Sequence, residues 1–169
     1  AQTAARVNAL LTDMFNGSNP YVGSNMVQQL GPEPPKVSDL SARDLLDAGA
    51  VRVKEDLKDE PLVQARLLCT IGTAYESLGL PDAAQPLVQQ ALDNYLALYG
   101  EAHQETIDCM GTLGLVLHNG GKYDEAQAGF ERMLALVREH YGEDQLLIGR
   151  ILSRLGGTLF QKGDVEGAE

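Results

Sequence analysis

After residue 60, apolar residues recur at three- and four-residue steps. The first run comprises Leu62, Ala65, Leu68, Ile71, Gly72, Tyr75 and Leu78. This spacing predicts one apolar stripe along an amphipathic helix. We expect Gly79 to end that helix, because glycine readily adopts the left-handed conformation that follows a last helical turn.

A second helix is predicted after Pro81. We expect the Asp82 carboxylate to accept hydrogen bonds from the free amides of the first turn, and Gly100 to close the helix. Its apolar stripe comprises Ala84, Leu87, Val88, Ala91, Leu92 and Tyr95. The same plan predicts helices within His103–Gly121, Tyr123–Gly142 (with Asp124 as the cap) and Gln145–Gly163, and the start of another over 164–169.

These helical patterns repeat with a period of 42 residues. The positions that recur are Gly72, Gly114 and Gly156; Gly79, Gly121 and Gly163; and Ala84, Ala126 and Ala168. A fixed period in this range is typical of repeat proteins built from stacked helix pairs. Small residues at the first and third of these positions favour a close crossing of the two helices, so replacing Gly72 or Ala84 with Leu should cost about 1–3 kcal/mol through overpacking.

The repeating positions resemble the tetratricopeptide signature. Its members here are Ile71, Gly72, Tyr75, Ala84 and Ala91; then Leu113, Gly114, Leu117, Ala126 and Phe130; then Leu155, Gly156, Leu159 and Ala168. The longer second helix and the Tyr-Gly-Glu turns at 99–101 and 141–143 are similar to the kinesin light chain type. The resemblance implies an all-α, right-handed superhelical solenoid of antiparallel helix pairs, with repeats at 61–102, 103–144 and, truncated, 145–169.

Residues 1–60 are predicted to form a helix, a loop and a degenerate capping half-repeat. Residues 2–15 have a helical pattern, which a Gly- and Pro-containing stretch interrupts before a loop to about Val37. Ser41 and Asp44 have the spacing of a capping box, which predicts a helix through about Leu57. This helix falls in the register of a second helix, and we expect it to cap the array.

Residues 40–53 and 59–68 resemble the segment that precedes the tetratricopeptide arrays of some bacterial eukaryotic-like serine/threonine kinases. The resemblance implies a regulatory or targeting region of such a kinase. No kinase motif is present, so we predict that this segment is not itself an enzyme. The sequence begins with Ala1 and ends at Glu169 within a helical pattern, which we interpret as part of a longer protein.

Charge and composition narrow the range of functions. The chain has 24 acidic against 13 basic residues, and its net charge of −11 disfavours nucleic acid as a partner. No apolar run is long enough to span a bilayer. Cys69 and Cys109, like the three histidines, lack the spacing of a metal site, and we expect both cysteines to pack as small apolar residues. We predict no metal, no cofactor and no catalytic residue.

The first helix of each repeat is expected to line the concave face, where a protein or peptide partner would bind. By analogy with the family, the inward-facing positions are Arg66, Cys69, Thr70, Thr73 and Ser77; Asp108, Thr112, Leu115, His118 and Asn119; and Arg150, Ser153, Arg154, Gly157 and Gln161. Arg66, Arg150 and Arg154 could pair with a carboxylate of the partner, or they could be ordinary solvated residues. The face lacks the Lys and Asn pattern of the family's carboxylate clamp.

Two other functions remain open. In the first, the chain self-associates as a homodimer through an uncovered apolar face of the last helix, formed by Leu152, Leu155, Leu159 and Phe160. In the second, a pocket beside the N-terminal loop senses a small molecule. The cytoplasm is the favoured compartment, whereas a membrane-anchored kinase as parent would favour an extracytoplasmic array, in which the two cysteines could be oxidised.

Overall fold

A computed structural model describes residues 41–142 and 145–163, and these residues form helices without any strand. In chain order the helices are α1 (Ala42–Asp56), α2 (Pro61–Ser77), α3 (Pro81–Tyr99), α4 (Gln104–Asn119), α5 (Tyr123–His140) and α6 (Gln145–Lys162). The helix predicted over 2–15, the loop to Val37 and the helix predicted to start over 164–169 lie outside the described residues. The all-α prediction is confirmed for the part that is described.

Glycines with positive φ angles set the helix ends. Gly79, Gly100, Gly121, Gly142 and Gly163 follow one another at intervals of 21 residues, and their φ angles lie between 66° and 89°. An L-residue with a side chain rarely adopts this conformation, so each glycine allows the chain to turn away from the helix that precedes it. The predicted role of glycine at these positions is confirmed.

The capping predictions are only partly correct. The Ser41 side chain accepts from the Asp44 amide and the Asp44 carboxylate accepts from the Ser41 amide, as a capping box requires. Asp82 and Asp124 do not cap their helices: the residues at the N-cap are Leu80 and Lys122, and neither helix has a side-chain cap. The reason at α3 is that Pro81 already occupies the first helical position, where its fixed φ suits a helix start, so Asp82 lies within the first turn.

Consecutive helices pack against each other in antiparallel pairs. A Cβ atom added to Gly72 would collide with the side chain of Val88, and one added to Gly114 would lie 2.5 Å from Cε1 of Phe130. The close approach predicted at these glycines is therefore confirmed. Tyr75 and Phe130 anchor two buried clusters, to both of which Leu113 contributes, so that the core runs along the array.

The helices form two layers. Besides its sequence neighbours, α2 contacts α4, and α4 contacts α6. No two of α1, α3 and α5 pack as extensively against each other. The first-helix layer (α2, α4 and α6) is therefore the more closely spaced one, as expected for the inner side of a curved stack.

Polar contacts attach α1 to the array. The Gln64 side-chain amide donates to the carbonyl oxygens of Val53 at 3.4 Å and Lys54 at 3.2 Å, and its oxygen accepts from Asn94 at 3.0 Å. Gln64 thereby links α1, α2 and α3 from a buried position. The Tyr75 hydroxyl donates to Asp47 at 2.5 Å. The helix predicted from Ser41 is thus present and packs against α2, whereas its assignment to a degenerate capping half-repeat stays a prediction.

Within the described residues, no helix combines the length and the apolar character that crossing a bilayer requires.

Candidate protein-binding face

All nine residues predicted to bind a partner lie on α2, α4 and α6, and none of them is buried. The exposed ones are Arg66, Thr70, Thr73, Asp108 and Arg150, and the half-buried ones are Thr112, Leu115, His118 and Arg154. The 42-residue period brings equivalent positions of successive helices side by side. We call the surface formed by these nine residues the first-helix face.

Between α2 and α4, polar side chains on and beside this face bind one another. The Arg66 guanidinium lies 3.0 Å from the Glu105 carboxylate, and this hydrogen bond raises the pKa of Arg66. Further along the same helices, the Asn119 amide donates to Glu76 at 2.6 Å. Arg66 is thus already paired within the chain, although an exposed pair of this kind contributes only about 0.2–1 kcal/mol and can exchange partners.

Between α4 and α6, His118 and Arg154 make the cross-helix contacts. The Thr158 hydroxyl donates to the Arg154 carbonyl at 2.9 Å, so it accepts the hydrogen bond from His118 Nδ1, 3.0 Å away. Arg154 Nη1 donates to the Gly111 carbonyl at 3.4 Å. A Cβ on Gly111 would lie only 3.0 Å from that nitrogen, so the glycine makes room for the guanidinium.

Arg150 and Arg154 differ from Arg66 in their electrostatic environment. They lie one helical turn apart on α6, and among the described residues neither has a carboxylate within ion-pair distance. Their planar guanidinium groups can each bind a carboxylate through two hydrogen bonds. The distinction from Arg66 depends on Glu105, whose proximity to Arg66 sequence reasoning did not predict.

The threonines present hydrogen-bond acceptors rather than free donors. The hydroxyls of Thr70, Thr73 and Thr112 each donate to the carbonyl four residues earlier, at 2.9, 2.9 and 3.1 Å. Each hydroxyl oxygen keeps a lone pair for an incoming N–H group. Asp108 accepts from Gln104 at 3.1 Å, and Leu115 adds an apolar contact surface. The face can therefore bind the amides of an extended peptide and, at α6, a carboxylate.

Sequence reasoning did not predict that the two cysteines lie at the same buried cluster. Cys109 is buried, Cys69 is half-buried against the same cluster, and both are free thiols. Their positions, 40 residues apart in sequence, are nearly equivalent in successive repeats, which was the only available signal.

The apolar face predicted on the last helix is smaller than expected. Leu152 is 44% exposed and Phe160 is 63% exposed, whereas Leu155 is half-buried and Leu159 is buried against the array. Two of the four predicted residues thus remain available for association.

Comparison with known proteins agrees with this architecture. The tetratricopeptide repeat family matches residues 63–128. The crystal structure of BtubC (BKLC) from P. vanneervenii superposes with a TM-score of 0.61 at 23% identity, over 73% of this chain and 52% of that protein. The fold is thus a helical solenoid of antiparallel helix pairs, of the kind to which the family match also points.

Two curated relatives are clustered mitochondria protein homologs from fungi. The protein from Debaryomyces hansenii is 26% identical over 82 residues, which are 48% of this chain and 6% of the relative. The protein from Neosartorya fischeri is 27% identical over 90 residues, which are 53% of this chain and 7% of the relative. The chain therefore spans only a small part of the length of the curated relatives that it matches.

Proposed function

We propose that the first-helix face binds an extended segment of a partner protein and that Arg150 and Arg154 bind a carboxylate of that segment. The observation that carries the proposal is that Arg150 and Arg154 on α6 have no carboxylate partner among the described residues, whereas Arg66 is paired with Glu105. Tetratricopeptide repeats generally mediate interactions between proteins, and the match to that family supports this class of function. A C-terminal carboxylate and an acidic side chain both have the required chemistry.

The other residues of the first-helix face indicate where the rest of the segment would lie. Hydroxyl oxygens of Thr70, Thr73 and Thr112 would accept from its backbone amides, and Leu115 would contact an apolar side chain. His118 would border the site, since its Nδ1 is engaged with Thr158. Asp108 lies on α4, between the helices that carry Arg66 and Arg150. Its negative charge would disfavour a second carboxylate at the centre of the segment.

The direct test is selection from a random peptide library with free C-terminal carboxylates, repeated with the same library as C-terminal amides. We expect the native chain to enrich peptides and the variant Arg150→Glu, Arg154→Glu to lose them. The control is Arg138→Glu, Lys58→Glu, which changes net charge equally at two exposed residues outside the first-helix layer. Binding that survives amidation assigns the carboxylate to a side chain.

Two results would contradict this function. If the native chain enriches no peptide, the face does not bind extended segments of this class. If the control variant loses binding as completely as the α6 variant, then overall charge, and not the two arginines, determines recognition.

Such a face would make the chain a scaffold or targeting region within a larger protein. That the larger protein is a bacterial-type serine/threonine kinase is proposed from the sequence of residues 40–53 and 59–68 alone. The fungal relatives do not bear on that proposal.

Self-association is the second candidate function, and the exposure of Leu152 and Phe160 favours it. If these side chains join two copies, sedimentation velocity should show a dimer at high protein concentration that is lost in Leu152→Gln, Phe160→Gln. A native chain that stays monomeric throughout would exclude this function for the described face.

A further inference from the structure

Arg150 and Arg154 lie on the same helix, yet only the Arg154 side chain is held by a contact with another helix. Arg154 is half-buried, and its Nη1 donates to the Gly111 carbonyl of α4 at 3.4 Å. Arg150 is exposed, and its side chain makes no hydrogen bond or ion pair with any described residue. The two guanidinium groups therefore differ in their freedom before any partner binds.

A glycine provides the space for the Arg154 guanidinium. A Cβ atom at position 111 would lie 3.0 Å from Arg154 Nη1 and 3.2 Å from Cε of Met133, which is buried. Gly111 has no positive φ angle, so the backbone conformation does not require glycine there. Glycine is also less favourable than alanine inside a helix. What distinguishes Gly111 is thus the space that its missing side chain leaves for these two neighbours.

The 42-residue period indicates that the side chains at these two positions have changed together. One period earlier, where α2 meets α4, the equivalent residues are Cys69 and Thr112, both of intermediate size. Where α4 meets α6 they are Gly111 and Arg154, the smallest residue beside one of the longest. The long side chain and the glycine that makes room for it therefore occur at the same boundary between helices.

We propose that Gly111 is a positioning residue that holds the Arg154 guanidinium ready for a carboxylate, so that Arg154 contributes more than Arg150 to recognition. The role in recognition rests on the proposed binding function, whereas the ordering of Arg154 does not. A guanidinium group has five N–H donors, so the bond to Gly111 leaves enough of them for a carboxylate bound through two hydrogen bonds. A side chain that is already ordered loses less conformational entropy when it binds.

Gly111→Ala should release the guanidinium without disturbing the fold. The methyl group requires Arg154 Nη1 and Met133 Cε to move by a few tenths of an ångström, and both atoms lie at the ends of flexible side chains. The hydrogen bond to the Gly111 carbonyl is already 3.4 Å long, so this shift breaks it. Gly129→Ala is the matched control, because nothing lies within 4 Å of its added Cβ. In urea, neither variant should be less stable than the native chain.

The first measurement needs no peptide. Nitrogen-15 relaxation of the arginine Nε–Hε groups in the full 169-residue chain reports how ordered each side chain is. We expect Arg154 to be more ordered than Arg150 in the native chain and in Gly129→Ala, and to be as mobile as Arg150 in Gly111→Ala. Equal mobility of the two arginines in the native chain, or an unchanged Arg154 in Gly111→Ala, would overturn the positioning role.

The second measurement is the affinity for one library-selected peptide, compared with the same peptide in which an amide replaces the carboxylate. We expect Gly111→Ala to weaken binding of the carboxylate form by about three- to tenfold and to leave binding of the amide form unchanged. Arg154→Ala should weaken binding of the carboxylate form more than Arg150→Ala does. A merely structural effect of Gly111→Ala would weaken both forms of the peptide equally and would contradict the proposal.

A double-mutant cycle tests whether Gly111 acts through Arg154. Gly111→Ala should have no further effect on affinity when Arg154→Ala is already present, because no guanidinium remains to be positioned. An additional loss of affinity in the double variant would show that Gly111 acts by another route. If the native chain selects no peptide at all, the proposed binding function fails, and the relaxation measurement alone decides whether Gly111 positions Arg154.

Discussion

Individual glycines serve three different purposes in this chain. Gly79 has a φ of 71° in a turn with open space around it, so its role is conformational. Gly114 lies in a helix against the ring of Phe130, so its role is steric. Gly111 leaves room for the guanidinium of Arg154. The sequence period identified the first two roles, whereas the third depends on a side chain from another helix.

The steric role predicts a large effect of one methyl group. Gly114→Ala would place a Cβ 2.5 Å from Cε1 of Phe130, whose side chain is fully buried, so we expect a loss of about 1–3 kcal/mol in the free energy of unfolding. Gly129→Ala is the matched control, because that helical glycine has nothing within 4 Å and the alanine should stabilise by up to about 1 kcal/mol. Urea unfolding measures both. Equal stability of the two variants would contradict the close packing at Gly114.

Burial of Tyr95 predicts sensitivity to alkaline pH. Burial raises its pKa to about 12, and the charges of the neighbouring cysteines add to this effect. The folded state favours the protonated phenol. The stability that depends on this neutral phenol is fully present below the ordinary tyrosine pKa of about 10 and is lost as the pH rises through the folded pKa. The free energy of unfolding should therefore fall as the pH rises from about 10 to about 12, and it should fall less steeply in Tyr95→Phe. Identical slopes in the two proteins would show that Tyr95 is not the group responsible.

At the scale of the helices, local sequence patterns predicted most helix ends correctly but two N-caps wrongly. The glycines that follow α2 to α6 and the capping box at Ser41 are encoded in short stretches, and these predictions are confirmed. Asp82 and Asp124 were misplaced because an acidic residue in the first turn fits the same pattern as a cap. Side-chain contacts between helices were harder to predict from the sequence, since no local pattern indicates that Glu105 lies beside Arg66.

The link between α1 and the array predicts the effect of one buried amide. Gln64→Ala removes the hydrogen bonds to the Val53 and Lys54 carbonyls and leaves Asn94 without one of its acceptors. We expect a loss of about 1–3 kcal/mol, with faster hydrogen exchange in α1 than in α4. Gln89→Ala is the control, because that exposed amide binds only Asp93 on its own helix and should change stability by less than about 0.5 kcal/mol. Uniform acceleration of exchange in all helices would contradict a specific role in attaching α1.

At the scale of the whole molecule, charge opposes the compact state. The net charge is −11, and the ion pairs between helices, such as Lys162 with Asp124 at 2.6 Å, lie at the surface. Exposed pairs contribute about 0.2–1 kcal/mol each, so repulsion among the excess carboxylates outweighs them at low ionic strength. We therefore expect the free energy of unfolding to rise as sodium chloride is added up to about 0.15 M, where screening is effective within about 8 Å. A fall over the same range would show that the ion pairs dominate.

The regular spacing of the turn glycines has a consequence for how the chain can be lengthened. Gly100 and Gly142 both have a positive φ angle and lie one 42-residue period apart, so a tandem duplication of residues 61–102 would rejoin the chain in register. Each copy would keep its own contact between Gly72 and Val88. At the new joint, however, the position of Glu105 would be taken by Val63, and Arg66 of the first copy would lose its carboxylate. In-frame duplication would therefore add one helix pair to the array and leave one more arginine without a carboxylate partner.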